Sequence, residues 1–482
     1  MAPMEHCAHT YKVVEQSKVG PATPPERTTL PLTFLDISLA GPIYVRRQFF
    51  YHFPYTSHHF ISTMLPSLKH SLSLALCHFY PLAGNLLCPP PPHKPFLHCA
   101  GGNSVTLTVV ESASADDFDH YSANYPKNLK DYDCLVPKLS WTTMDDEDDH
   151  VEGAGPTFVF PIVALQVTVF PNVGLCIAIT YCHVMDDNCC SHFMKTWASI
   201  CRSNGGDLTT FLERSPPSYD REVIKDTRGL EAVFLRDYFK ERSKWKDSLV
   251  GKNSKHVVKN NDDDLFKATI VFGRKDIDVL RKWAMYQWKK NDESNVPKYL
   301  SKFVVTCGFV WTSLIKMRYR DENEEEKDEY FRFGADCRNR LEYPLQKNYF
   351  GNCITRCHAT LKRRELRGEE GFLKAVKVID GAIQDMKKEP FRDAEKWKED
   401  FQKMFVLGST VLVTGSPKFT VYETDFGFGK PKKVEMAHSF KCMSLAESGS
   451  EEGGLEVGLV FRRDEYDDFM SVVERGLQTF TS

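Results

Sequence analysis

Residues 162–202 read IVALQVTVF, PNVG and LCIAITYCHVMDDNCCSHFMKTWASICR, and three periodicities follow one another along them. Leu165, Val167 and Val169 alternate with period two, Pro171 to Gly174 is turn chemistry, and Leu175, Ile177, Ile179 and Tyr181 alternate again. Two such runs about a short turn predict a β-hairpin. Cys190, Phe193, Met194, Trp197 and Cys201 then recur at helical spacing, so a helix follows directly. His183 falls at the end of the second strand, and Val184 to Asp187 occupy the turn between strand and helix. A loop at a strand end is held by a rigid sheet yet open to substrate, which makes this one the first candidate for chemistry.

His183 and Asp187 form an HxxxD pattern, which no other histidine of the chain shares. With 16 histidines in an Asp-rich chain, about one such match arises by chance, so the pattern alone decides nothing. The competing interpretation is a hydrogen-bonded core histidine beside an ordinary acid at a helix start. A metal site from Cys182, His183, Cys189 and Cys190 would need adjacent ligands without a recognised spacing to close a tetrahedron, so no metal is expected.

Outward from this stretch, the 482 residues exceed one ordinary core; at about 100 to 200 residues per domain they predict two or three. Hydrophobic residues at 42% and charged residues at 26% are globular proportions, and no run of about 18 apolar residues offers a membrane span. The 62 Lys and Arg against 65 Asp and Glu give a formal charge of -3, and so no overall basic field for nucleic acid. Fifteen cysteines, an odd count without CxxC, follow a start that has no apolar h-region. Reduced thiols and a cytoplasmic location are the expectation.

LKHSLSLALCHFYPLAGNL predicts a helix ending before Pro81, FKATIVF (Phe266 to Phe272) a strand, and SKFVVTCGFVWTSLIKM (Ser301 to Met317) a buried helix. GSEEGGLEVGLVF predicts a turn and strand, and EYDDFMSVVERGLQTF a closing amphipathic helix. The acidic stretches from Met144 to His150, Asn261 to Asp264 and Asp321 to Glu329 lack EF-hand spacing and predict solvated loops rather than calcium sites. Polar, lysine-rich sequence between the halves predicts a crossover over residues 206–260, dividing the chain into 1–205 and 261–482. Hairpins and crossovers together argue for an α/β fold with mixed sheets.

Two downstream motifs weigh on the HxxxD pattern: ADCRNRLEYPLQKNYFGNC (Ala335 to Cys353) and YETDFGFGKP (Tyr422 to Pro431). With them the chain resembles the BAHD acyltransferases of plants, coenzyme A-dependent enzymes marked by HxxxD near the middle and DFGWG near the C-terminus. YFGNC at Tyr349 to Cys353 resembles the motif of the branch that acylates anthocyanin and other flavonoid glycosides. The similarity runs from TTLPLTFLDI at Thr28 to the final helix and includes YDREVIKD at Tyr219 to Asp226. Phe428 stands where DFGWG has tryptophan, and Asn188 where a glycine commonly follows HxxxD. Asn188 tolerates left-handed backbone angles and so replaces glycine at a turn.

The resemblance implies two similar mixed-sheet domains, chloramphenicol acetyltransferase-like, with a channel at their interface and His183 in mid-channel. It implies a monomer, acyl-coenzyme A as co-substrate with no permanently bound cofactor, and a glycosylated flavonoid or anthocyanin as acceptor. His183 is then the general base, and transfer is direct, with the cysteines as core residues. The family's aspartate pairs with an arginine, by residue match Asp187 with Arg338. Asp425, Phe426, Gly427, Phe428 and Gly429 contain no base or nucleophile except Asp425, and two glycines around aromatic rings predict a tight packed turn, so they are assigned shape. YFGNC admits a second interpretation as a plain strand-edge turn. Lys267, Arg274, Ser301 and Lys302 are candidates for a cationic patch facing coenzyme A phosphates, and Thr414 for an oxyanion donor. A malonyl donor calls for an arginine, with Arg46, Arg47 and Arg221 as candidates; a hydroxycinnamoyl donor calls for an apolar slot. The alternatives are another plant alcohol or phenolic acceptor, or a non-catalytic binding protein on the same scaffold.

Overall fold

The computed structural model describes residues 11–481 apart from 24, 145–155, 205–215, 246–264, 320–324, 344, 408 and 438–441. Met144 is the last described residue of its acidic stretch, and Asn261 to Asp264 and residues 321–324 lie outside the described residues. The hairpin forms as its alternation predicts, Val163–Phe170 pairing antiparallel with Gly174–Cys182. Asn172 at the tip takes a φ of 65°, the left-handed turn geometry that Asn tolerates. Both strands are buried on both faces. Leu165, Val167, Ile177 and Ile179 enter the larger core. On the opposite face Gln166 and Thr180 donate to the carbonyls of Cys134 and Pro137 at 2.8 and 2.6 Å, which satisfies polar groups that burial would otherwise penalise.

This hairpin is the centre of a six-stranded sheet ordered Tyr11–Val19, Val105–Ser112, Val163–Phe170, Gly174–Cys182, Tyr44–His52 and Lys433–Met436. Val163–Phe170 runs parallel to Val105–Ser112, and the hairpin is antiparallel, so the sheet is mixed. A seven-stranded sheet carries the second core, in the order Ile354–Lys362, Asp328–Asp336, Ser409–Thr414, Met443–Glu447, Leu455–Arg462, Leu265–Phe272 and Lys127–Asn128. It too is mixed, since Asp328–Asp336 pairs parallel with Ser409–Thr414. The third sheet has five strands.

The two larger sheets exchange strands. Lys433–Met436, late in the chain, pairs with Tyr44–His52, while Lys127–Asn128, early in the chain, pairs with Leu265–Phe272. The predicted helices appear as Leu65–His78, Lys302–Arg318 and Glu465–Thr481. No helix among the described residues is long and apolar enough to cross a membrane.

Candidate active site

The second hairpin strand ends at Cys182, and the helix Asp187–Arg202 begins after four intervening residues. His183 opens this turn, half-buried, its N–H donating to the Ile43 carbonyl at 2.9 Å. Its imidazole Nδ1 stands 3.2 Å from Asn352 Oδ1. Asn352 Nδ2 donates to the His183 carbonyl at 2.9 Å and to Asp36 Oδ1 at 3.2 Å. Both of those partners only accept, so the amide nitrogen must face them and its oxygen must face the ring. Nδ1 therefore carries the proton, and Nε2 presents a lone pair.

Asp36 anchors the arrangement. It is fully buried and takes the Asn352 N–H at 2.7 Å and the Thr33 hydroxyl and N–H at 2.8 and 3.0 Å. Thr33 and Asp36 form a capping box on the one-turn helix Phe34–Ile37. That T-x-x-D pattern was the available signal for Asp36, and YFGNC contained Asn352. The sequence singled out neither as a partner of His183. YFGNC is thus more than a strand-edge turn: it supplies the group that orients the histidine.

The expected Asp187–Arg338 pair does not form. Arg338 pairs with Asp186 at 2.7 Å, both side chains 2–3% exposed, whereas Asp187 pairs with Arg47 at 3.1 Å and accepts from the Tyr181 hydroxyl. The reason is helical phase. Asp186 is the N-cap, its carboxylate accepting the Cys189 N–H at 3.0 Å. It thus turns toward the Cys353 N–H and the arginine beyond it, at 3.3 Å from the former. Asp187, one position on, is rotated by about 100° and faces the neighbouring strand instead. Burial alone would raise the Asp186 carboxyl, but Arg338 outweighs it and holds the group below its usual range. Arg338 also donates to the Tyr349 and Gly351 carbonyls at 3.2 and 3.4 Å, so Asp186 and Arg338 tie the HxxxD turn to YFGNC.

Asn188 is helical rather than left-handed, and its amide donates to the Lys347 carbonyl at 2.9 Å. The glycine's conformational role is therefore not what Asn188 fills. Cys182, Cys189 and Cys190 are buried, and burial pushes the Cys182 and Cys190 thiols up to about 12 and that of Cys189 well above its usual value. Thiols so raised are poor nucleophiles, as their reading as core residues requires. Among the described residues no group of His, Cys, Asp and Glu is arranged to hold a metal.

DFGFG forms a tight turn. Asp425 Oδ1 accepts the N–H groups of Gly427 and Gly429 at 2.8 and 2.9 Å, and both glycines hold positive φ, 100° and 85°. Phe426 meets Trp197 edge-on with centroids 4.7 Å apart, and Phe428 lies 5.8 and 5.6 Å from the Tyr51 and Phe53 rings. Every one of these contacts is packing.

Of the expected cationic patch, Lys267 is not available. Lys267 is buried against Glu435 at 2.6 Å, because the incoming strand Lys433–Met436 covers it. Arg274 is exposed, Ser301 caps the helix Lys302–Arg318 by accepting the Val304 N–H at 3.2 Å, and Lys302 is half-buried. Thr414, at the end of its strand, donates to the Met443 carbonyl at 3.4 Å. Of the arginines considered for a malonyl carboxylate, Arg47 is committed to Asp187, Arg46 to Asp133 at 3.0 Å, and Arg221 binds Tyr349 and Phe350 through Nη1. A narrow gap remains between the two large sheets, lined by Arg47 and Lys433 on one side and Thr269, Ser444 and Gly458 on the other.

The Transferase family model matches residues 11–475. Coumaroyl-CoA:anthocyanidin 3-O-glucoside-6''-O-coumaroyltransferase 2 of Arabidopsis thaliana is 35% identical, over 98% of each chain. Malonyl-coenzyme A:anthocyanin 3-O-glucoside-6''-O-malonyltransferase of Dahlia pinnata is 34% identical, over 97% of each. Among solved structures, vinorine synthase superposes with a TM-score of 0.67 at 17% identity, over 96% of this chain and 98% of the other. F. graminearum TRI101 complexed with ethyl coenzyme A gives 0.63 at 16% identity, over 92% and 97%. By the length of the family match and the identity to full-length relatives, the chain belongs to the BAHD acyltransferases, the transferase family of that model.

Proposed function

We propose that this protein is a coenzyme A-dependent O-acyltransferase that moves a malonyl or hydroxycinnamoyl group from its thioester to a sugar hydroxyl of an anthocyanin or other flavonoid glycoside. The observation that carries the reading is the contact of His183 Nδ1 with Asn352 Oδ1 at 3.2 Å, which leaves Nε2 as a base. The names of the full-length relatives support the donor and acceptor classes.

A sugar hydroxyl has a pKa far above 7 and attacks only as its proton leaves. His183 Nε2 takes that proton while the oxygen adds to the thioester carbonyl. The tetrahedral intermediate collapses with cleavage of the C–S bond, and the imidazolium returns the proton to the departing thiolate. No acyl-enzyme forms. Acyl-coenzyme A is a co-substrate; Arg274, Ser301 and Lys302 are assigned to its phosphates. Thr414 serves as oxyanion donor only if its hydroxyl leaves Met443. Asp187, Asp186 and Arg338 hold the geometry of the turn, and DFGFG its packing. The same reading has halves 1–205 and 261–482 joined by 206–260, acting as a cytoplasmic monomer. Free thiols at all the described cysteines are consistent with that location.

Acetyl, malonyl, coumaroyl and caffeoyl coenzyme A, each offered with an anthocyanidin 3-O-glucoside and read by mass spectrometry, test the proposal. Wild type should add one acyl mass with at least one donor, and His183→Ala should lose about 100- to 10,000-fold in rate. A variant keeping more than about a tenth of wild-type turnover would remove His183 from the mechanism.

A further inference from the structure

The arginines considered above for a malonyl carboxylate are all committed, but the seven-stranded sheet carries two that are not. Its strands Asp328–Asp336 and Ile354–Lys362 pair Arg332 with His358 and Gly334 with Arg356, which sets both arginines on one face, a single register step apart. Arg332 is 7% exposed, its guanidinium carbon 4.3 Å from the Phe401 ring centroid and its Nη1 buried with no partner. Arg356 is half-buried over Trp397, and Nη2 donates to the Ser38 carbonyl at 3.1 Å, its one hydrogen bond among the described residues. Most of its N–H fork is therefore left over. The buried arginines Arg47, Arg338 and Arg363 each have a carboxylate at 2.7 to 3.1 Å, from Asp187, Asp186 and Glu329. Among the described residues Arg332 and Arg356 have none within ion-pair distance, and Asp336, the acid on their own face, is held by Arg338 at 3.1 Å. Burial, and for Arg356 also the charge of Arg332, pushes both guanidiniums down to about 10, which Asp400 offsets only in part and only for Arg332. Two like charges set side by side away from water form a costly arrangement that an anion relieves.

Residues 36–43 tie these charges to the histidine. Asp36 holds Asn352 against His183, the Ile43 carbonyl takes the His183 N–H at 2.9 Å, and between those two points the Ser38 carbonyl takes Arg356. Solvent reaches Ser38, Leu39, His183 and Arg356 in part, and Ile43 is 43% exposed. Gly334, directly across from Arg356, is exposed and adds no side chain, so the guanidinium is open on that flank. The anion that fits is one carried near the reacting carbonyl. Coenzyme A phosphates sit at the far end of a long pantetheine arm, and a hydroxycinnamoyl group and a neutral glucoside carry no carboxylate. A malonyl group carries one beside the thioester, and a planar carboxylate matches the fork of a guanidinium.

We propose that Arg356, backed by Arg332, binds the carboxylate of a malonyl donor and makes this chain selective for malonyl over hydroxycinnamoyl thioesters; this rests on the acyltransferase reading above.

Calorimetric titration with malonyl, acetyl and coumaroyl coenzyme A, in the absence of acceptor, tests the site in two variants. Arg356→Gln removes the charge. Gly334→Asp keeps Arg356 and sets a carboxylate directly across from it in place of the ligand's; the position is exposed, and a Cβ there meets only Ile354 Cγ2 at 3.0 Å. Wild type should bind malonyl coenzyme A at least about tenfold more tightly than either other thioester, the scale of hydrogen bonds to a charged group. In each variant the preference over acetyl coenzyme A should shrink to within about twofold, the range of ordinary surface substitutions. A wild type without the preference, a preference kept in either variant, or an equal loss for all three thioesters, as a phosphate contact would give, would each overturn the assignment. Malonyl preference that follows these residues in a protein transferring no acyl group would leave the site standing and remove the acyltransferase reading; transfer that depends on His183 without any malonyl preference would do the reverse.

Discussion

An imidazole at neutral pH has one proton for two nitrogens, and the nitrogen that keeps it decides where the lone pair points. In His183 that choice is made by Asn352, whose own amide is fixed by Asp36 and the His183 carbonyl. Asn352→Leu removes the acceptor at similar volume, so kcat should fall by about ten- to a hundredfold, as when other hydrogen-bonded supports of a histidine are lost. The KM for the thioester should hold; a KM effect with kcat intact would make Asn352 a binding residue. The two aspartates of the turn give a sharper test. Removing either partner of the buried Asp186–Arg338 pair strands a charge and should cost about 3 to 5 kcal/mol, and the double variant should lose less than the sum. Asp187 should couple in the same way to Arg47, and additively with Arg338. Coupling of Asp187 to Arg338 in thermal unfolding would refute the phase argument. His183 was legible in the sequence because it closes a strand of clear alternation. Which of two adjacent aspartates meets Arg338 was not, because it turns on a single residue of helical phase.

The DFGFG turn belongs to a layer of aromatic rings rather than to a reacting group. Phe426 packs on Trp197 of the helix Asp187–Arg202, and Phe428 on Tyr51 and Phe53 at the end of Tyr44–His52. The Tyr51 hydroxyl donates to the Thr424 carbonyl at 2.8 Å, locking the turn to that strand from the other side. Phe428 is half-buried, so the larger indole of Phe428→Trp has room to extend toward solvent. Stability should change by no more than the roughly 1 to 3 kcal/mol of an overpacked core. KM values for donor and acceptor should each move by less than about threefold, because packing changes that spare the site leave uniform binding intact. A switch of donor preference across the thioester panel would show that the turn touches substrate. Of the longer elements, the hairpin, the helix after it, Lys302–Arg318 and the closing helix all formed as read, while the equally long strands Tyr11–Val19 and Val105–Ser112 and the helix Gly371–Lys388 were not read from the sequence. The two exchanged strands are four and two residues long, too short to show a period.

At the scale of the molecule, those same short strands join the two large sheets, and they do so with charge. Lys433–Met436 brings Glu435 to Lys267 at 2.6 Å and Lys433 to Glu456 at 2.7 Å, all four side chains at most 7% exposed. Tyr422 donates to Glu456 at 2.8 Å, and the Thr269 hydroxyl to Glu435 at 3.2 Å. Lysines and glutamates are ordinarily exposed, so sequence alone placed Lys267 on a surface and could not see the seam, whose burial depends on a partner some 170 residues away by the general rule that sheet partners are non-local. The seam should be sensitive to acid. Burial pushes the Glu435 carboxyl up, but Lys267 and Lys433 outweigh it and hold it down at about 2, against an ordinary 4.5. A carboxyl lowered on folding stabilises the folded chain fully above the unfolded value. That contribution is lost as pH falls from about 4.5 toward 2, where the unfolded chain binds the proton first. Over that window it amounts to about 3 kcal/mol, at 1.36 kcal/mol per unit. Glu435→Gln removes the titrating group and leaves Lys267 unpaired, so its Tm at pH 7 should lie below that of wild type. Between pH 5 and 3 the wild-type Tm should fall the more steeply, and the gap between the two proteins should narrow. A gap of the same size at pH 3 as at pH 7 would mean that the ionised Glu435 does not hold the two sheets together.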